Sequence, residues 1–182
     1  MKRRDFFKFS SAVFSGLAFV PNTVFGANER LNVAFVGVGG KGSHALTVLK
    51  GNKHLNITAF ADVDDQAASG SVKKFPNIPI YRDFRVMLDK HDKDIDAVII
   101  STPDHTHHYI AMKCMERGKH VYLEKPLAHN ISQVRDLIAA EKKYSLACQM
   151  GNQGHSGMGI PGVVFPTSFP HFGHFIFDTP SS

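Results

Sequence analysis

Leu31-Asn-Val-Ala-Phe-Val-Gly-Val-Gly-Gly-Lys-Gly-Ser-His44 is the stretch that decides the fold. Val33 to Val36 is a β-branched and aromatic run that reads as a buried strand. It breaks into Gly37-Val38-Gly39-Gly40-Lys41-Gly42, a G-x-G-x-x-G, then resumes as an amphipathic helix through Leu46, Val48 and Leu49. In a dinucleotide fingerprint each glycine has a mechanical task. Gly37 lets the strand turn sharply, Gly39 lets the backbone approach a pyrophosphate, and Gly42 lets helix and strand pack closely. With Gly40 they are the candidate cofactor-binding glycines. The helix N-terminus adds unpaired N–H groups and a partial positive charge for phosphate oxygens.

A glycine turn alone is weak evidence, and the next strand strengthens it. Ile57-Thr-Ala-Phe-Ala61 ends in Asp62, 20 residues after Gly42. An acid at that spacing meets the hydroxyls of an adenosine ribose. Its carboxylate would repel a 2′-phosphate, and neither Lys41 nor Lys73 is placed to reverse that, so the expected cofactor is NAD rather than NADP.

The 182 residues suffice for one ordinary domain, or one domain with a fragment of another. A hydrophobic content of 43% with 20% charged residues describes a globular chain. Of the net charge of +5, +3 lies in the first eight residues, and there is no basic stripe and no tryptophan, so nucleic-acid binding is unsupported. Those residues, Met1-Lys-Arg-Arg-Asp-Phe-Phe-Lys8, form a basic n-region. An apolar segment from Phe9 to Val20 and small residues near Gly26-Ala27 follow. The pattern is a secretory leader over 1–26, too short and too soon broken by Pro21 to span a membrane. Arg3-Arg4 gives it the look of a twin-arginine signal, which places the mature protein in the periplasm or outside the cell. Cys114 and Cys148 read as buried thiols, and a disulfide requires the fold to bring them together.

Beyond Asp62, strands and helices alternate with short turns. Asp64-Asp65 starts a helix that ends by Phe75-Pro76, and Ile78-Pro-Ile80 suits an edge strand. Asp83 caps a helix, and Asp96-Ala-Val-Ile-Ile-Ser101 is an unbroken apolar strand of the kind covered on both faces. Tyr109 to Gly118 reads as a helix, His120 to Leu123 as a strand, Ser132 to Tyr144 as a helix and Leu146 to Met150 as a last strand. The pattern predicts an α/β fold with a doubly wound parallel sheet over residues 31–156. Ligands on such sheets sit at the carboxyl ends of the strands, where the most distinctive residues of this chain fall.

Taken together, the glycine fingerprint, Asp62, Thr102-Pro-Asp-His-Thr-His-His108, Glu124-Lys125-Pro126 and Gly151-Asn-Gln-Gly-His155 resemble the glucose–fructose oxidoreductase/inositol dehydrogenase/rhizopine (Gfo/Idh/MocA) family, its exported twin-arginine members most closely. The resemblance implies a first domain that binds NAD(P) and a second α/β domain that completes a sugar or polyol pocket and makes the subunit contacts. Thr102, Pro103 and His107 would line the nicotinamide side, Glu124 would approach the nicotinamide ribose, and Lys125 would be the catalytic lysine. The Lys-Pro peptide is often cis in the family. Asn152 and Gln153 are candidate polar contacts to cofactor or substrate. An ammonium at position 125 can hold a carbinol hydroxyl and ease its proton loss as hydride leaves. His105, His107, His108 and His155 invite a metal reading, but H-x-H-H on a turn does not converge and no carboxylate or cysteine set completes it, so no metal is expected.

The chain departs from the family after Ser156. Residues 157–182 hold five phenylalanines, four prolines and one charge, Asp178. His171 and His174 do not match the Asp and His that partner the lysine in the family's second domain. The expectation is an irregular tail, out of frame or truncated, with the second domain missing. Family oligomers form through that domain, so the chain as written is compatible with a monomer. Three functions stay open: a sugar or polyol dehydrogenase, a glycosidase relative that uses bound NAD, and a non-catalytic NAD-binding fragment. Glu124-Lys125-Pro126 favours the first.

Overall fold

The computed structural model describes residues 30–152. The leader, Gln153, His155 and the segment 157–182 with His171 and His174 lie outside the described residues. The run that opens the fingerprint is strand β1 (Leu31–Val36), followed by helix α1 (Gly40–Leu49), β2 (Leu55–Ala61), α2 (Asp65–Lys74), β3 (Ile80–Tyr81) and α3 (Phe84–His91) with a 3-10 turn (Asp92–Asp94). Then come β4 (Ala97–Ile100), α4 (Asp104–Met115), β5 (His120–Glu124), α5 (Ile131–Tyr144) and β6 (Cys148–Gly151). A helix separates each strand from the next, and every strand pair is parallel. The spatial order is β3-β2-β1-β4-β5-β6, the doubly wound order expected of this pattern.

That order puts the functional edge in one place. After β3 the chain crosses back over α3, and β4 pairs with the far side of β1 from Val33–Ala97 to Val36–Ile100. The carboxyl ends of β1 and β4 therefore lie side by side at the point where the winding reverses. Strand alternation divides the core. Val33 and Phe35 face one layer with Leu46, Leu49, Phe60 and Ala68. Ala34 and Val36 face the other with Met87, Leu88, Ile110, Met115 and Leu137. Phe35 and Phe60 meet edge to face at 6.1 Å and tie β1 to β2.

Several boundaries differ from the sequence reading. The helix expected from Tyr109 begins five residues earlier, at Asp104, with Pro103 as its N-cap. What reads as a histidine-rich turn is the first turns of α4. His107, Ile110, Ala111, Cys114 and Met115 form its buried stripe at helical spacing, and that packing outweighs the modest propensity of histidine and threonine. Val48, expected on the apolar face of α1, is 56% exposed. It lies off the Leu46–Leu49 stripe that packs on the sheet. Both cysteines are free, Cys114 buried and Cys148 half-buried. Among the described residues, no helix is long and apolar enough to cross a membrane.

Candidate functional site

At the end of β1 the backbone is wedged between its neighbours. Gly37 N–H donates to the Ala61 carbonyl at 2.8 Å, and Ser101 N–H donates to the Val36 carbonyl at 2.8 Å. Gly37 has φ +82°, and a Cβ there would stand 2.8 Å from the carbonyl carbon and oxygen of Ser101. At Gly42 a Cβ would stand 1.9 Å from the Gly37 carbonyl oxygen, so α1 rests directly on the turn that precedes it. At Gly39 a Cβ would meet the Ala67 Cβ on α2 at 3.0 Å. Gly40 has φ +43° and nothing within 4 Å of its missing side chain. Space in front of the loop is open at that position.

Side chains from the neighbouring β2–α2 unit hold this turn. Asp62 Oδ2 accepts from Val38 N–H at 2.8 Å and Gly39 N–H at 3.2 Å, and its Oδ1 accepts from Asp64 N–H at 3.0 Å. A carboxylate has about four acceptor positions, so Oδ1 keeps room for a hydroxyl. Ser71, 1% exposed on α2, donates from Oγ to the Val38 carbonyl at 2.5 Å. Ser71 escapes sequence reasoning. The available signal is a small polar residue one turn after buried Ala68 on the same helix stripe.

The helix starts sort into two kinds. Asp64, Asp83 and Asn130 cap α2, α3 and α5 with side-chain oxygens that accept backbone N–H groups. No side chain caps α1 or α4, the helices that follow the two strands at the switch point. In α1 the first backbone bond is Ser43 N–H to the Gly39 carbonyl at 3.2 Å, which leaves the N–H groups of Gly40, Lys41 and Gly42 without a helical partner. Such an end is disposed to receive an anion.

Beyond β4 and β5 lie the remaining candidates. Thr102 is half-buried, with its hydroxyl 2.7 Å from that of Thr106. Pro103 is exposed at the start of α4. His107 is 1% exposed, with Nδ1 2.7 Å from the Pro126 carbonyl oxygen and Nε2 2.8 Å from the Thr102 carbonyl oxygen. The backbone occupies both nitrogens, which sets the ring behind the surface of the cleft rather than on it. Glu124 is buried at the end of β5, Lys125 is exposed beside it, and the Lys125–Pro126 peptide is cis. Asn152 follows β6 and is exposed.

Other groups are accounted for structurally. Burial pushes the Cys114 thiol up to about 12 and the Cys148 thiol up to about 11, so neither is a thiolate nucleophile near neutrality. His105, His107 and His108 point to different environments on α4, and among the described residues no group of three metal-ligating side chains converges. A cavity of about 400 Å³ opens at the opposite, amino edge of the sheet, lined by Leu31, Ile95, Asp96 and Lys119 among others. Two of its polar side chains are already engaged: Asp96 accepts from Asn32 N–H at 2.8 Å, and Lys119 donates to the Asp92 carbonyl.

Comparison with known proteins agrees with this geometry. Residues 31–152 match the family model described as an oxidoreductase family with an NAD-binding Rossmann fold, Gfo/Idh/MocA. The chain is 32% identical to inositol 2-dehydrogenase of Rubrobacter xylanophilus over 117 residues, covering 64% of this chain and 33% of that protein. It is 30% identical to an alpha-N-acetylgalactosaminidase of Shewanella oneidensis over 179 residues, covering 81% of this chain and 38% of that protein. Among solved structures, GenD2 from gentamicin A biosynthesis, in complex with NAD, superposes with a TM-score of 0.62 at 28% identity, over 68% of this chain and 34% of that one. The chain thus spans between a third and two fifths of the length of these relatives.

Proposed function

The chain belongs to the Gfo/Idh/MocA oxidoreductase family through its NAD-binding Rossmann domain, and from that membership we propose that it serves hydride transfer between a sugar or polyol and NAD. The observation that carries the proposal is the uncapped first turn of α1 next to the open space at Gly40, beside the tightly packed Gly37 and Gly42. That cradle fits a pyrophosphate, held by the N–H groups of Gly40, Lys41 and Gly42. The free acceptor position of Asp62 suits a ribose hydroxyl and disfavours a 2′-phosphate. Thr102, Pro103 and Glu124 flank the other end of the cleft. NAD supplies the hydride acceptor. Lys125, exposed at the strand end, is placed to hold the substrate hydroxyl, and in its neutral amine form it would receive the hydroxyl proton as hydride leaves for NAD. Positioning and exclusion of water need walls beyond the described residues, and the family's second domain supplies them in full-length relatives.

A second reading is an NAD-using glycosidase, favoured by the longer coverage of the galactosaminidase relative. The two differ in their electron balance. A dehydrogenase releases one NADH per substrate oxidised, whereas a transient oxidation returns the hydride and accumulates none. Incubating the chain with NAD⁺ and a panel of polyols, sugars and aryl glycosides separates them. Lys125-dependent NADH accumulation supports the dehydrogenase, aglycone release without NADH supports the glycosidase, and binding with neither limits the chain to nucleotide binding. The same proposal places the protein outside the cytoplasm, supported by the Arg3-Arg4 leader. Replacing both arginines by lysine is expected to hold it in the cytoplasm, and continued export would contradict the twin-arginine route.

A further inference from the structure

His107 stands in the second turn of α4 with each ring nitrogen at hydrogen-bond distance from a backbone carbonyl, Pro126 at 2.7 Å and Thr102 at 2.8 Å. A carbonyl oxygen only accepts, so each contact is a bond when that nitrogen carries hydrogen. The two carbonyls belong to different loops. Thr102 follows β4, and Pro126 follows β5 directly after Lys125. The ladder between these strands ends at the Ile100–Leu123 pair, before either loop begins. His107 reaches across where the ladder has stopped, and its burial shields both contacts from water.

We propose that His107 is a positioning residue: its ring, wedged with one nitrogen against the Thr102 carbonyl and the other against the Pro126 carbonyl, staples the loop after β4 to the loop after β5 and so fixes Lys125 and Pro126 against the nicotinamide end of the cleft. The inference rests on the nucleotide reading above, and it assigns His107 no contact with the cofactor. The glycine turn, which this reading gives to the adenosine end, is held separately by Asp62 and Ser71, so the staple is expected to affect one end of the ligand only.

Titrating the 182-residue chain with NAD⁺ and with ADP-ribose, which lacks the nicotinamide ring, tests the proposal. His107→Leu removes both ring nitrogens and is expected to weaken NAD⁺ about tenfold, with ADP-ribose held within about twofold. His107→Gln, whose amide donates from one nitrogen, recovers part of the NAD⁺ affinity. Equal weakening of both ligands, or of neither, overturns the staple and leaves the nucleotide reading intact. Failure of the unmodified chain to bind either ligand overturns the nucleotide reading itself. Should the variants not fold, ¹⁵N spectra of histidine-labelled unmodified chain decide: a His107 ring N–H that is hydrogen-bonded and protected from solvent exchange supports the staple, and a freely exchanging ring overturns it.

Discussion

At the end of β1 the chain is shaped by side chains that are missing, whereas beyond β4 and β5 it is shaped by side chains that are present. Gly37 and Gly42 leave room for backbone to touch backbone, and any Cβ there collides with main-chain atoms that cannot yield. Across the switch point, Thr102, His107 and Glu124 fill the space, and His107 supplies the contacts that join one loop to the other. The first region is therefore fixed by steric exclusion at Gly37 and Gly42, which tolerate no side chain. The second is fixed by hydrogen bonds between replaceable groups and degrades by steps.

The largest expected effect tests the steric side. Gly42→Ala puts a methyl 1.9 Å from the Gly37 carbonyl oxygen, and thermal unfolding should show a loss of about 3 kcal/mol or more. Gly40→Ala, in open space at φ +43°, should cost only about 1 kcal/mol of backbone strain. Equal losses at the two positions would remove the distinction between a packed and an open glycine. Next, Ser71→Ala strips the Val38 carbonyl of its buried donor and should cost about 1–2 kcal/mol in denaturant unfolding. No measurable cost would mean that the glycine turn holds itself.

Alkaline stability should change more gently. Burial raises the Cys114 thiol from 9.0 to about 12. Below 9.0 the thiol is protonated in both folded and unfolded chains; as pH rises past 9.0 the unfolded chain ionises first, so stability falls with pH until about 12. Cys148 acts in the same direction up to about 11. Cys114→Ala should flatten that slope in unfolding measured between pH 9 and about 10.5, whatever its effect on absolute stability. The smallest effect on stability is expected for Lys125→Ala, within about 0.5 kcal/mol because the side chain is exposed. A larger loss would make Lys125 a structural residue and weaken its assignment to chemistry.

The same contrast explains what was readable in the sequence. The strand runs, the glycine spacing and Asp62 are local patterns that hydrophobic periodicity and backbone sterics impose directly, and they point to the doubly wound parallel sheet, whereas the order of its strands is visible only in the fold. The family resemblance points to His107 as a residue of the nicotinamide side, but nothing in the sequence shows what its ring touches. Its carbonyl partners lie 5 and 19 residues away and become neighbours only when α4 packs against the β5 loop. Ser71 was invisible for the same reason, since the carbonyl it serves lies 33 residues earlier. The early start of α4 at Asp104 is decided by burial of the His107–Met115 stripe rather than by local propensity.

The most direct test of the account is a calorimetric titration of the 182-residue chain with NAD⁺ and NADP⁺. Saturable NAD⁺ binding, with NADP⁺ weaker by about tenfold or more because its 2′-phosphate meets the Asp62 carboxylate, is the predicted result. A folded chain that binds no NAD⁺, or prefers NADP⁺, would contradict it.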